Sequence, residues 1–467
     1  MKQFGDAANR STWKSAFFLD ISLSDLYGSL AHRVNIFSIS TVNPVDVDCR
    51  LTGGFVKILI YGINYAPEMT GIGKYTAEMA ASIAAQSHEV RVVCAPPYYP
   101  EWRVPSGFSS RRYANELRDG VRVSRAPLWV PSRPKGLGRL LHLASFAISS
   151  LPLMVRHAFW RPDVVFCVAP SLLNAPTGWL VARLSRAHAW LHIQDFEVDA
   201  AFKLGILQGS FLKRAALTAE RALMKRFDTV STISNKMLER ASEKGIPAAR
   251  LVRFPNWADT SIIYPLARVS RLKESLGLES NTIVVLYSGN MGVKQGLDVL
   301  ANAALELKDH ADLAFVFCGD GPVRSTVQAT CGALPNCRII DLCPVEKLNE
   351  LLNLADIHVL PQRADAADLV MPSKLTGMFA SGRAVVAMAE PGTELYDTVA
   401  PRGVVVPPGN ARSLASAIRQ LADDAPERTR LGRAGREFAL ASLSREAAFG
   451  ALEARMDSLY AARQGGA

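Results

Sequence analysis

The chain predicts an α/β protein of two facing parallel-sheet domains, and three observations carry that expectation. Short apolar runs alternate with helical patterns along most of the length, which implies parallel strands joined by right-handed crossovers. The alternation comes as two series separated by a proline-marked gap. Each series opens in the same way: an apolar run, a glycine turn, then a helical pattern with a lysine near its start.

Residues 1–55 show no sustained period and carry no fold assignment. They read as an extension or as a start placed too early, with Val56 the alternative first residue. From there, 57–61, 89–94, 121–125, 164–168, 189–193 and 229–233 read as strands, with helices at 74–85, 175–184 and 211–226. Phe254-Pro255-Asn256-Trp257-Ala258-Asp259 and Pro265 punctuate the junction. The second series of strands is 283–287, 313–318, 338–342, 357–360, 384–389 and 404–406. A last helical pattern, 425–462, has no strand after it and is expected to pack back across the junction. The expected units are therefore 1–55, 56–265, 266–424 and 425–467.

With 49% hydrophobic and 21% charged residues in 467, the composition is that of a globular protein. A net charge of +10 favours an acidic partner. The basic residues concentrate between Arg103 and Arg161, where Arg111, Arg112, Arg118, Arg122, Arg125, Arg133, Lys135, Arg139 and Arg156 face only Glu116 and Asp119. Inside that stretch lies the most apolar run, 140–155, shorter than the roughly 20 residues that cross a bilayer. Two readings stand: a segment lying in a membrane interface, or a buried helix capped by surface arginines. No signal-peptide pattern opens the sequence. Cys49, Cys94, Cys167, Cys318, Cys331, Cys337 and Cys343 are odd in number and unpaired in spacing, which suits a reducing cytoplasm. No CxxC pair or neighbouring histidine supports a zinc site, so no metal is expected.

The two glycine turns are Gly71-Ile72-Gly73-Lys74, after the strand at 57–61, and Gly289-Asn290-Met291-Gly292-Val293-Lys294, after the strand at 283–287. Glycine permits close backbone approach, and a helix N-terminus favours an anion. Neither is a Walker loop: Glu68 stands where that motif needs glycine, and Tyr75 where it needs Ser or Thr. Cys318-Gly319-Asp320-Gly321-Pro322 reads as a tight strand-to-helix turn or as a ligand contact. Pro372-Ser373-Lys374-Leu375-Thr376-Gly377 opens a helix with proline in its first turn, and Gly382 suits the helix end. Ser373 and Lys374 then sit where a phosphate would bind, or Lys374 is solvated.

These motifs, in this order over about 56–460, resemble the family 4 glycosyltransferases, which have the two-domain GT-B fold of facing Rossmann-like sheets around a central cleft. The likeness is greatest to their exopolysaccharide subgroup, to which fucosyltransferases of colanic acid synthesis belong; His192-Ile193-Gln194-Asp195-Phe196-Glu197 looks like that subgroup's catalytic loop. The resemblance implies a retaining transferase that uses a nucleotide-diphosphate sugar as donor and needs no cofactor. It implies that Lys294, with Asn290 and Gly292, holds the donor diphosphate, with Lys374 supplying charge where relatives have arginine at the position of Asn290. Gly71 and Gly73 would close over the phosphate, Gly319, Asp320, Gly321, Ser373 and Thr376 would line the donor, and Pro344 and Val345 would hold the base. Relatives carry glutamates at the positions of Leu369 and Gly377, so ribose recognition departs from the pattern, with Asp368 the substitute at hand.

Retaining family members favour a front-face route in which the donor phosphate takes the acceptor proton, so no carboxylate pair of the kind used in glycoside hydrolysis is required. Asp195, Glu197 and Asp199 form an acidic cluster after a strand; Asp195 is read as orienting acceptor or donor hydroxyls, against a polar loop with a helix cap. Asp46-Val47-Asp48 matches the metal site of the rival GT-A fold but lies outside both strand series. The expected partners are a nucleotide sugar, a lipid-linked saccharide acceptor and an anionic membrane surface, with no nucleic acid; the expected place is the cytoplasmic face of the plasma membrane. The alternatives are a non-catalytic sugar-nucleotide binder and an epimerase of the same fold.

Overall fold

The computed structural model describes residues 55–68, 71–132, 136–203, 209–363 and 372–464. Two sheets organise them. The first contains β1 (Lys57–Tyr61), β2 (Glu89–Cys94), β3 (Ala114–Arg118), β4 (Val121–Arg125), β5 (Val164–Ala169), β6 (His188–Ile193), β7 (Thr229–Thr232) and β8 (Leu251–Arg253). Its order is β3-β4-β2-β1-β5-β6-β7-β8, parallel except for the β3–β4 pair. Around it lie α1 (Gly71–Ala85), α2 (Gly136–Ser149), α3 (Leu151–Trp160), α4 (Ala175–Ser185), α5 (Glu197–Lys203), α6 (Ser210–Met224) and α7 (Asn235–Glu243).

The second sheet contains β9 (Ile283–Ser288), β10 (Leu313–Cys318), β11 (Cys337–Ile340), β12 (Ile357–Leu360), β13 (Ala384–Met388) and β14 (Val404–Val406). Its order is β11-β10-β9-β12-β13-β14, parallel throughout. Its helices are α8 (Arg271–Ser275), α9 (Leu297–Glu306), α10 (Arg324–Cys331), α11 (Leu348–Leu352), α12 (Lys374–Ala380), α13 (Glu394–Val399) and α14 (Ala411–Asp423). Two C-terminal helices follow, α15 (Ala425–Phe438) and α16 (Arg445–Gln464).

The central strands are apolar because helices cover both faces. Every residue of β5, β10 and β13 is buried. Burying one large aliphatic or aromatic side chain contributes about 1.5–3 kcal/mol, so these runs dominate the stability of each sheet. Both sheets reverse their winding beside the first strand, between β1 and β5 and between β9 and β12. Ligands of such sheets bind at the carboxyl ends of the strands near that point, and each glycine turn follows the first strand of its sheet.

Two strands go beyond the sequence reading. β3 is polar, and none of its residues is buried; its alternation is too weak to mark a strand. It pairs with β4 through Asp119 and Gly120, whose φ values of 49° and 77° are those of a hairpin turn, a signal the Asp-Gly dipeptide does carry. β8 is only three residues long. The apolar run is also longer as structure than as sequence. α2 and α3 join at Ser150, and the helical run Gly136–Trp160 is 25 residues, long and apolar enough to cross a membrane by length and composition. Yet His142, Phe146, Met154 and His157 are buried along one side of it, which ties it to the first sheet.

Trp257, in the junction, is buried and packs edge-on against Tyr75 of α1 at 5.0 Å and tilted against Phe449 of α16 at 4.8 Å. Its Nε1 donates to Glu78 at 2.7 Å. Ala448, Phe449, Leu452 and Met456 of α16 enter the same core as Val56, Ile58 and Ile60. Residues 1–54 lie outside the described residues, and with them Asp46, Asp48 and Cys49.

Candidate functional site

The first glycine turn is built around a buried carboxylate. Glu68 accepts from the backbone amides of Tyr98 at 3.1 Å and Tyr99 at 3.2 Å, and from Asn64 Nδ2 at 2.9 Å. Burial pushes its carboxyl above the usual range, while these donors and Arg125 pull it back. Gly73 is required beside it: a Cβ there would lie 2.7 Å from Glu68 Oε2 and 2.9 Å from its Cβ. Gly71 opens α1 with φ +63°, a backbone that disfavours other residues. Lys74 pairs with Glu78 at 3.5 Å on the helix surface.

The second turn is interlocked with the loop after β10. Gly289 N donates to the Cys318 carbonyl and Met291 N to the Asp320 carbonyl, both at 2.8 Å. A Cβ on Gly319 would lie 2.0 Å from the Gly289 carbonyl oxygen, and one on Gly321 would lie 2.6 Å from that of Met291. These two glycines let the loops pack against each other. Asp320 Oδ1 caps Gly321 N at 2.8 Å. A short 3-10 turn, Val293–Gln295, holds Lys294, and α9 begins only after Gly296. Lys294 therefore precedes the helix rather than standing in its first turn, because Gly296 at φ +59° reverses the chain between them. Lys294 and Asn290 are exposed, and Gly292 is half-buried.

Lys374 reaches this turn from α12. Its Nζ lies 2.6 Å from Tyr287 Oη, 3.4 Å from the Asn290 carbonyl and 4.2 Å from the Tyr287 ring centre. Gly289 makes room for it, since a Cβ there would meet Lys374 Cε at 2.6 Å. Desolvation lowers this ammonium to a pKa of about 7.

Across the cleft, Asp195 follows β6 by two residues, and its Oδ1 is buried without a hydrogen-bond partner among the described residues. Burial raises its carboxyl, while Lys294 from the second sheet and Arg139 from α2 oppose the rise. Glu197 accepts from Leu172 N at 2.8 Å, and burial pushes its carboxyl to about 7. Asp199 turns away. It binds Arg240 at 3.1 Å and Lys244 at 3.0 Å, and the Lys244 ammonium also contacts Glu220. This buried group anchors α5 to α6 and α7.

A cavity of about 300 Å³ lies between the lips. Gly71, Gly73, Glu68, Asp195, Glu197 and Ser373 line it, with Tyr98, Tyr99, Trp102 and His142 forming an aromatic wall and Arg139 a cationic one. Tyr98 and Trp102 both pack on His142, at 4.6 and 5.2 Å. Ser373 and Asn256 continue into a smaller space lined by Arg253, Thr376 and Glu394.

Other expected residues are exposed, already engaged or outside the described residues. Pro344 and Val345 are exposed at a 3-10 turn after β11. Thr376 is buried, with its hydroxyl bonded to the Ser373 carbonyl at 2.8 Å. A Cβ at Gly377 would meet Leu352 at 3.3 Å and Ile263 at 3.8 Å, an apolar setting. Asp368 and Leu369 lie outside the described residues. Among the described residues no group of three or more His, Cys, Asp or Glu is placed to hold a metal. The sequence reading missed Glu68, noted only as the residue that breaks a Walker loop, and the aromatic wall. It also missed Glu394, whose carboxylate accepts from Asn235 N at 3.2 Å and Lys236 N at 2.9 Å, capping α7 from the other sheet. Tyr98-Tyr99, in the loop after β2, was the available signal for the wall; nothing local marks Glu394.

Residues 70–257 match the family model described as "Glycosyl transferase 4-like domain", and residues 282–424 match "Glycosyl transferases group 1". The chain is 44% identical over 375 residues to WcaI of Escherichia coli (strain K12), a glycosyl transferase named for colanic acid biosynthesis, covering 78% of this chain and 92% of that protein. Among solved structures, a sucrose-phosphate synthase from Thermosynechococcus elongatus superposes with a TM-score of 0.67 at 18% identity, over 88% of this chain and 99% of the other. Anabaena Alr3699/HepE in complex with UDP and glucose gives 0.60 at 14%, over 87% and 100%. The two interlocked glycine loops, the facing parallel sheets and these matches lead to one conclusion: the chain is a glycosyltransferase of the family 4-like, group 1 kind, with the GT-B fold.

Proposed function

We propose that this glycosyltransferase takes a sugar, with fucose the first candidate, from a nucleoside-diphosphate sugar. It passes the sugar with retained configuration to a lipid-linked oligosaccharide at the cytoplasmic face of the membrane, in an exopolysaccharide pathway of the colanic acid kind. The observation that carries the donor reading is Lys374, seated against Gly289 and Tyr287 with no carboxylate partner among the described residues. A diphosphate at this turn would meet the ammonium groups of Lys374 and Lys294. Those groups stabilise the departing charge most where it develops most. HepE, with the same fold, is named for binding UDP and glucose, which favours the same donor class here.

The acceptor would enter the aromatic-walled cavity, where Asp195 accepts from a hydroxyl and holds it toward the donor sugar. Its orphaned Oδ1 supports this, since a buried carboxylate oxygen without a donor costs stability unless a ligand supplies one. The membrane reading rests on the outer face of α2 and α3. Leu137, Leu141, Ile148, Leu151, Val155 and Phe159 are exposed there at helical spacing, while α2 turns Arg139, His142 and Leu143 into the cavity. The helix that would lie in the lipid surface would thus wall the acceptor site. Arg133 and Lys135, also expected in this basic stretch, lie outside the described residues.

The test is a panel of GDP, UDP and ADP sugars, scored first by thermal shift and then by release of nucleoside diphosphate with a membrane lipid extract. Release that requires both donor and extract is the expected result. Binding without release identifies a non-catalytic binder, and sugar conversion without extract an epimerase.

A further inference from the structure

We infer that an arginine-lined groove beside α3, separate from the cleft, binds the phosphate headgroup of an anionic glycerophospholipid. The inference rests on the reading of α2 and α3 as a membrane-facing surface and names the lipid chemistry that this surface selects.

The groove has a volume of about 490 Å³ and is lined by Arg91 of β2, Asn115, Glu116 and Leu117 of β3, Arg122, Val123 and Ser124 of β4, and Arg156 and His157 of α3. Three elements distant in sequence thus bring Arg91, Arg122 and Arg156 to one concavity. Arg91 is held in place: it binds Glu89 at 2.7 Å and stacks on Trp160 at 4.1 Å. Arg122 is 67% exposed and only 3.8 Å from the same Glu89. Arg156 is exposed, and its guanidinium has no ion pair among the described residues. Glu116 is already engaged by Arg125 at 2.6 Å and Arg118 at 3.7 Å. Arg91 and Arg122 thus share Glu89, Arg118 and Arg125 share Glu116, and the two least engaged arginines, Arg122 and Arg156, both line the groove.

A second observation is independent of the charge. His157 lines the groove, is 5% exposed, and its Nδ1 is buried without a partner. A buried ring nitrogen that no protein group engages can hydrogen-bond a group bound in the groove it lines.

What surrounds the groove identifies its occupant. Leu117 is 74% exposed at its wall, and Val155 and Phe159 are 55% and 84% exposed on the helix that bears Arg156. A soluble anion gains nothing from such a rim. A phospholipid satisfies both features at once, with its phosphate between Arg122 and Arg156 and its chains beside Val155, Phe159 and Leu117.

The test is vesicle co-sedimentation of the full chain with phosphatidylcholine alone and with added phosphatidylglycerol. The unmodified protein should prefer the phosphatidylglycerol vesicles. R122Q/R156Q should lose about tenfold or more of affinity for them, since each basic residue near an anionic surface adds severalfold, while binding to phosphatidylcholine is unchanged. R430Q/R433Q removes the same charge from exposed positions on α15 and should keep the preference; equal loss in this control would show a diffuse field and overturn the site. Retained preference in R122Q/R156Q also overturns it. Equal binding of the unmodified protein to both vesicles overturns the headgroup inference but leaves the membrane-facing helices standing, whereas no binding to either removes both. Glycerol phosphate in solution should bind far more weakly than the vesicles; equal affinity would make this a soluble-anion site.

Discussion

Lys374 Nζ lies 2.6 Å from Tyr287 Oη and 4.2 Å from the centre of that ring, so a lysine from one motif is seated inside the turn of another. Tyr287 is the penultimate residue of β9, whose turn carries Asn290 and Lys294, and its hydroxyl donates to the Asn290 carbonyl at 2.5 Å. The contact makes three motifs one unit.

The first prediction follows from that seat. Desolvation lowers Lys374 to about 7, and an incoming diphosphate favours the charged form. Above pH 7 binding must therefore take up a proton, and the Kd for UDP or GDP should rise, approaching about tenfold per pH unit. Calorimetry in two buffers of different ionisation enthalpy reads the proton uptake directly. In the ligand-free protein the sign is opposite. The unfolded chain holds more protons between about pH 7 and the ordinary lysine value, so stability should increase with pH through that window. Lys374→Met should abolish both slopes; a pH-independent Kd in the unmodified protein refutes the assignment.

Lys294 is exposed and spends little on folding. Lys294→Ala should leave the melting temperature unchanged and lower turnover by about 10²–10³-fold, the loss expected for one group that stabilises developing charge. Near-normal turnover would remove it from the reaction.

Gly319 is a structural test. Its φ of +156° and the Gly289 carbonyl 2.0 Å from a built Cβ leave no room for a side chain. Gly319→Ala should cost about 1–3 kcal/mol, as overpacking does, and should weaken donor binding because the Gly289 turn must move. Chemical denaturation and nucleotide titration on one preparation check both; loss of stability with unchanged donor affinity would uncouple the loops.

Lys244 is buried between Asp199 and Glu220. Burial raises the Glu220 carboxyl despite this contact, while Arg240 and Lys244 hold Asp199 low against its own burial. Lys244→Met leaves two buried carboxylates facing each other and should cost about 3–5 kcal/mol, the range for breaking a buried pair from one side. Glu220→Gln in the same chain should recover part of the loss. An unchanged melting temperature in the single variant would show that the pair contributes nothing net.

The sequence alone determined the two series of parallel strands, their glycine turns and the motif order, because fully buried strands must be apolar and close backbone approach demands glycine; both leave local marks. It singled out Lys294, Lys374 and Asp195 as candidates, from the glycine turns, the helix start and the family resemblance. The tertiary structure alone decided that Gly319 and Gly321 serve loop-to-loop packing, that Glu68 is a buried hub of the first lip, and that Glu394 caps α7 from the opposite sheet. It also brought Arg91, Arg122 and Arg156 into one groove. These relations join residues from separate strands and helices, and their energies depend on distances between backbones that no local pattern encodes.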